Sequence, residues 1–143
     1  MVEESSIFGK GFTVRGGDFA NAGEVSCKVR NILKEIGINS DIIRRVAIVA
    51  YEAEMNVVMY AREGTLSFEV TPDRIKLVME DEGNGIENIE LAMQEGYSTA
   101  TDEIREMGFG AGMGLPNIKK NSDDFKINSI VGKGTRVEVT IST

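Results

Sequence analysis

The chain has 143 residues, 41% of them hydrophobic and 27% charged, which suits one soluble globular domain with a single core. A formal charge of −7 argues against nucleic acid or an anionic membrane as the main partner, and the absence of histidine removes Ser-His-Asp chemistry, histidine metal sites and phosphohistidine from this chain. The single cysteine, Cys27, excludes an intramolecular disulfide and fits a reducing cytoplasm; neither a secretory signal nor a membrane-spanning helix is expected.

In chain order, Ile7 to Arg15 alternate around Phe8, Phe12 and Val14 and predict a strand ended by Gly16-Gly17. Asp18 stands as N-cap for a helix from Phe19 to Ile36, where Val25, Val29, Ile32, Leu33 and Ile36 recur at helical spacing until Gly37 stops it. Ser40 caps a second helix, roughly Asp41 to Ala61, that is apolar on nearly all sides and so buried on most of them. Glu52, Glu54 and Asn56 interrupt it. Glu52 and Asn56, four apart, share one face, while Glu54, Arg44 and Arg45 read as surface or pairing charges. Leu66-Phe68-Val70 and Ile75-Leu77-Met79, joined at Thr71 to Arg74, predict a hairpin whose second strand ends at Asp81. Leu115 to about Ser122 is a short helix with Pro116 in its first turn. Phe125 to Val131 and Arg136 to Ile141 form a closing hairpin around Gly132-Lys133-Gly134. With no repeat or linker, residues 1–143 read as one domain of α/β (α+β) class, a two-layer sandwich with helices on one face of a mixed, mostly antiparallel sheet.

The chemistry concentrates in two glycine clusters, Asp81-Glu82-Gly83-Asn84-Gly85-Ile86 and Gly108 to Leu115, with a polar connection between them. A carboxylate at a strand end can accept a hydrogen bond from an exocyclic amine, and glycines let backbone N–H groups come close to phosphates. The run Gly110, Gly112, Gly114 has neither Rossmann nor P-loop spacing. Glu52 suits a general base and Asn56 an oxygen ligand for Mg²⁺, which an acidic chain would need to hold a nucleotide. Plain alternatives stand beside each residue. Asp81 fits an exposed acidic turn, the glycines a hinge, Glu52 an ion pair, Asn56 a backbone contact and Thr135 an ordinary hairpin position. Ser98, Thr99, Thr101 and Arg105 fit either phosphate contact or solvent.

Taken in order, Glu52-x-x-x-Asn56, Asp81-x-Gly83-x-Gly85-Ile86, Gly110-x-Gly112-x-Gly114-Leu115 and Gly132-x-Gly134-Thr135 resemble the N, G1, G2 and G3 boxes of the GHKL ATPases. The resemblance spans nearly the whole chain and implies the Bergerat sandwich, with ATP and Mg²⁺ held between helices and sheet beneath a lid. Within that superfamily the chain is most similar to the small anti-sigma-factor and stress-regulatory serine/threonine kinases, through Asn56 to Ala61 and Glu95 to Thr99. The glycine run Gly108 to Leu115 is longer than theirs and is similar to the histidine-kinase form. The resemblance implies that Glu52 is the catalytic base, Asn56 the Mg²⁺ ligand and Asp81 the adenine contact. It implies that Gly83 and Gly85 shape the adenine-side wall and that Ile86 beside them belongs to the nucleotide-binding set. Gly110, Gly112 and Gly114 would then bind phosphates, with Gly108, Met113 and Leu115 also in the nucleotide-binding set, and Thr135 would contact the adenine region through the Asp81 water network. The implied activity is transfer of phosphate to a small antagonist protein of the anti-anti-sigma type. The alternative is a nucleotide-gated switch that sequesters a sigma factor or related regulator. The first strand, as an exposed edge, suits pairing in a homodimer.

Overall fold

The computed structural model describes residues 8–98, 102 and 114–143. Five strands, β1 (Phe8–Arg15), β2 (Ala61–Val70), β3 (Arg74–Gly83), β4 (Asp124–Ile130) and β5 (Gly134–Ser142), form one sheet in the order β1-β2-β3-β5-β4. Helices α1 (Glu24–Ile36), α2 (Ser40–Tyr60), α3 (Ile89–Ala92) and α4 (Gly114–Lys120) complete the described elements, with a 3₁₀ turn at Phe19–Asn21. Among the described residues all four strand pairings are antiparallel, so the sheet expected to be mostly antiparallel has no parallel pair there. The reason is the strand order. β1 and β3 run parallel but are separated by β2, and β3 and β4 run parallel but are separated by β5.

Alternation built the sheet. Leu66, Phe68 and Val70 of β2, Ile75, Leu77 and Met79 of β3, and Val137, Val139 and Ile141 of β5 are buried, while their alternate neighbours lie on the other face. That other face is polar, carrying a run of charges in which Lys76 pairs with Glu138, and Arg136 with Glu138 and Glu80. The α2 helix covers the apolar face, packed between α1 and α4 with β2 and β3 beneath it. Its buried set, from Ile43 and Val46 to Val57 and Val58, covers most of its circumference. Gly64 lets α2 sit close, because a Cβ there would stand 2.8 Å from Val57 Cγ2.

The helix starts differ from expectation. Asp18 caps nothing through its side chain, which instead accepts from Asn21 Nδ2, and α1 begins at Glu24 after a 3₁₀ turn. Gly23, at φ 95°, turns the chain into the helix in a conformation that suits glycine. The cap comes from elsewhere. Glu54, expected at the surface or in an ion pair, is buried and takes the free N–H groups of the first turn of α1. For α2 the cap is Asn39, whose side chain accepts from Asp41 N–H at 2.9 Å, one residue before the expected Ser40. Gly37 ends α1 as expected, at φ 90° with its N–H and that of Ile38 returned to the last turn. Arg45 pairs as expected, with Asp123 at 3.0 Å and with the Asn121 carbonyl.

Candidate active site

A cavity of about 1150 Å³ lies between the C-terminal half of α2 and the sheet. Its wall brings together Glu52 and Asn56 from α2, Asp81 and Gly83 from β3, and Gly85 and Ile86 from the following loop. Gly114 and Leu115 of α4 and Thr135 of β5 complete it. Thus every sequence-predicted site residue within the described residues lines one space. Gly108, Gly110, Gly112 and Met113, like Thr99, Thr101 and Arg105, lie outside the described residues.

Asp81 stands where β3 outruns its ladder to β5, whose last paired residues are Glu80 and Arg136. Its Oδ1 takes the place of the next ladder acceptor and receives the Thr135 N–H at 3.1 Å. Burial raises the proton affinity of Asp81, and that N–H bond opposes the shift. Gly134 makes the approach feasible: at φ 152°, it passes so near Asp81 that a Cβ would collide with the Asp81 carbonyl. Gly134→Ala is therefore expected to destabilise the fold by about 3 kcal/mol, read as a lower denaturant midpoint at unchanged m-value.

The loop after β3 is held by the β4–β5 turn. Gly83 N–H donates to the Lys133 carbonyl at 3.2 Å, and Gly132 N–H to the Asn84 carbonyl at 2.8 Å. Gly85, at φ 75°, leaves no room for a side chain, since a Cβ would stand 2.5 Å from the Ile130 carbonyl oxygen. Ser129, which sequence reasoning missed, joins the two segments. Its hydroxyl accepts from Ile86 N–H at 2.7 Å and lies 2.8 Å from the Thr135 hydroxyl. The available signal was its place on the face of β4 shared with Phe125 and Ile127, a polar side chain on an inward apolar row.

Opposite Asp81, Glu52 and Asn56 converge on the start of α4. A Cβ at Gly114 would stand 3.1 Å from Asn56 Oδ1 and 3.4 Å from Glu52 Oε2, so glycine keeps this corner open. Asn117, also missed, donates from Nδ2 to Glu52 Oε1 at 3.4 Å and orients the carboxylate. Burial raises the proton affinity of Glu52, and the Asn117 bond opposes it. At the far end of α2 the Tyr60 hydroxyl lies 3.1 Å from Ser98 Oγ.

The donor set suits a magnesium nucleotide. Among the described residues lining the cavity there are three carboxylates, Glu52, Asp81 and Glu87, and no lysine or arginine. Among the described residues no three of His, Cys, Asp and Glu gather into an ion cage. Mg²⁺ is commonly held by one or two protein oxygens together with substrate phosphates, and Asn56 can offer such an oxygen beside Glu52.

An open antiparallel sheet, a buried helix with an acid and an amide one turn apart, and a strand-end aspartate across the cavity make a Bergerat-type ATPase sandwich. The chain belongs to the histidine kinase-like ATPase domain family, whose sequence model matches residues 18–141. The serine/threonine-protein kinase RsbT of Bacillus subtilis (strain 168) is 34% identical over 113 residues, covering 76% of this chain and 79% of that one. The anti-sigma F factor of Caldanaerobacter subterraneus subsp. tengcongensis is 32% identical over 101 residues, covering 71% of this chain and 63%, a little under two thirds, of its own length. That of Clostridium acetobutylicum is 29% identical over 114 residues, covering 76% of each chain.

Proposed function

We propose that this chain is an ATP-binding regulator that works as a serine/threonine protein kinase on a small antagonist protein. The observation that carries the reading is the meeting of Glu52 and Asn56 with Gly114 across the cavity from Asp81. Likeness to a serine/threonine kinase and to anti-sigma factors supports it.

The geometry supports a role for each residue. Asp81 Oδ1 is occupied by Thr135 N–H, which leaves Oδ2 to accept from the adenine amine. Asn56 Oδ1 is the protein ligand for Mg²⁺. Glu52 is the base: Asn117 holds Oε1, Oε2 lies toward Gly114, and burial favours proton uptake from an incoming serine or threonine hydroxyl. When bound, the Mg²⁺ and ATP supply the phosphoryl group and offset its charge, so the protein's part is positioning and electrostatics. Gly83, Gly85 and Ile86 wall the adenine side, and Gly114 and Leu115 bound the phosphate end; to Gly108, Gly110, Gly112 and Met113, outside the described residues, we assign a share in nucleotide binding.

A second reading, nucleotide-gated capture of a sigma factor or related regulator without turnover, is favoured by the likeness to anti-sigma F factors. Both readings place the protein in the cytoplasm; among the described residues no helix is long and apolar enough to cross a membrane. Calorimetric titration with ADP and ATP tests what they share. With the Glu52 carboxylate at the phosphate end and no lysine or arginine among the described wall residues, binding should weaken on the order of 100-fold when Mg²⁺ is chelated. Equal affinity with and without Mg²⁺ would exclude the ion from the site, and no binding of either nucleotide would end the reading.

A further inference from the structure

Glu54 lies on the far side of α2 from the cavity. At about 100° per residue, it stands about 200° round the helix from both Glu52 and Asn56. It is 2% exposed, and among the described residues no basic side chain pairs with it. Three backbone N–H groups compensate the carboxylate instead: Gly23 at 3.1 Å and Val25 at 3.2 Å on Oε2, and Ser26 at 3.0 Å on Oε1. They are the free donors at the positive end of α1, which favours the negative charge further. Ser26 Oγ donates to the Gly23 carbonyl at 3.0 Å and closes the turn.

The same stretch of chain is tied to α2 at a second place. Gly17 N–H donates to the Val58 carbonyl of α2, and Gly16 N–H to the Arg62 carbonyl at the start of β2 just beyond it, each at 2.8 Å. Residues 16–26 therefore run as a strap along the C-terminal half of α2, the half that carries Glu52 and Asn56 on its other side. The strap also meets the cavity rim. A Cβ at Gly23 would stand 3.6 Å from the ring of Tyr51, and Tyr51 lines the cavity.

We propose that Glu54 is a positioning residue whose carboxylate clamps the first turn of α1 to the back of α2 and so sets the rotation that points Glu52 and Asn56 into the cavity. Apolar packing alone tolerates small rotations; three directed hydrogen bonds to a rigid helix end do not. Side-chain tips lie about 5–6 Å from a helix axis, so a turn of about 10° moves them by about 1 Å. A displacement of that size can cost on the order of 100-fold in rate. The proposal rests on the reading that Glu52 and Asn56 serve a bound nucleotide.

The test compares wild type with Glu54→Gln, which keeps the shape but turns an NH₂ group toward the backbone donors. In the unliganded folded variant, the side-chain amide NMR signals of Asn56 and of Asn117, which holds Glu52, should shift. Mg²⁺·ADP affinity, measured well below the melting temperature, should fall about tenfold or more. A lower melting temperature with both amide signals and the affinity unchanged means the clamp only holds the fold together, and overturns the proposal. If the variant fails to fold, wild type decides. By reciprocity, saturating Mg²⁺·ADP must slow amide exchange at Gly23, Val25 and Ser26. Unchanged exchange overturns the proposal as well. Wild type that binds no nucleotide sinks the nucleotide reading, while the Asn56 and Asn117 signals in unliganded protein still decide whether Glu54 sets α2.

Discussion

Glu52→Gln is expected to cut phosphoryl transfer by about 10²–10⁴-fold while leaving Mg²⁺·ATP affinity within about threefold. Glutamine has the shape of glutamate and keeps an oxygen for Asn117, so the corner formed by Glu52, Asn56 and Gly114 stays built. What it loses is the capacity to take a proton. The pH profile of wild type carries the same signature. A base works ionised, and burial raises the proton affinity of Glu52 against the Asn117 bond, so activity should fall as pH drops through a value above the ordinary glutamate range. Single-turnover transfer to the partner, with calorimetry for affinity, checks both. Full transfer by Glu52→Gln would remove Glu52 as base. Partner binding that depends on nucleotide in wild type and variant alike, with no transfer in either, would select the switch instead.

The strands were legible because the sheet is covered on one side only. A face buried under α2 and a face left to solvent impose the period of two that marks Leu66-Phe68-Val70 and Ile75-Leu77-Met79. The α2 helix was legible for the opposite reason: burial on most sides leaves its three polar interruptions conspicuous. The start of α1 was not legible. Capping rules look within three residues of a helix end, and the group that caps α1 lies 28 to 31 residues along the chain. The same fact hid Glu54, because a buried acid two residues from a cavity-facing acid differs from it only in which neighbour the fold brings to its side. Asn39 and Ser40 are adjacent residues that both cap well, and only backbone geometry chooses between them.

At the site, sequence order carried Glu52, Asn56, Asp81, Gly114 and Thr135 into one cavity, since four spaced motifs constrain one another even when each is weak. The links between them were not legible. That Asp81 meets the Thr135 backbone depends on the register of β3 against β5, where the ladder stops at Glu80 and Arg136. Ser129 enters through the register of β4 on β5, and Asn117 through the way α4 lies against α2. Such residues hold the others in place and repeat no motif of their own.

Asp81→Asn should abolish tight nucleotide binding and leave the fold intact. Asparagine keeps an oxygen for Thr135 N–H, so the bond that ties β3 to β5 at this point survives. The second carboxylate oxygen becomes an NH₂ group, which faces the adenine amine donor to donor. Losing a charge-assisted hydrogen bond and leaving two donors opposed costs about 3 kcal/mol, or about 100-fold in affinity. Stability should respond in the other direction. Burial raises the folded-state proton affinity of Asp81 above its unfolded value, so its stabilising contribution is complete below the ordinary carboxylate range and is lost as pH rises through the folded value. At neutral pH the ionised carboxylate is thus held at a cost that a neutral amide removes, and the melting temperature of Asp81→Asn should match or exceed that of wild type. Calorimetry and thermal denaturation on one preparation separate the cases. Lost binding with an undiminished melting temperature assigns Asp81 to the nucleotide, whereas lost binding with a lowered one makes it a strut between β3 and β5.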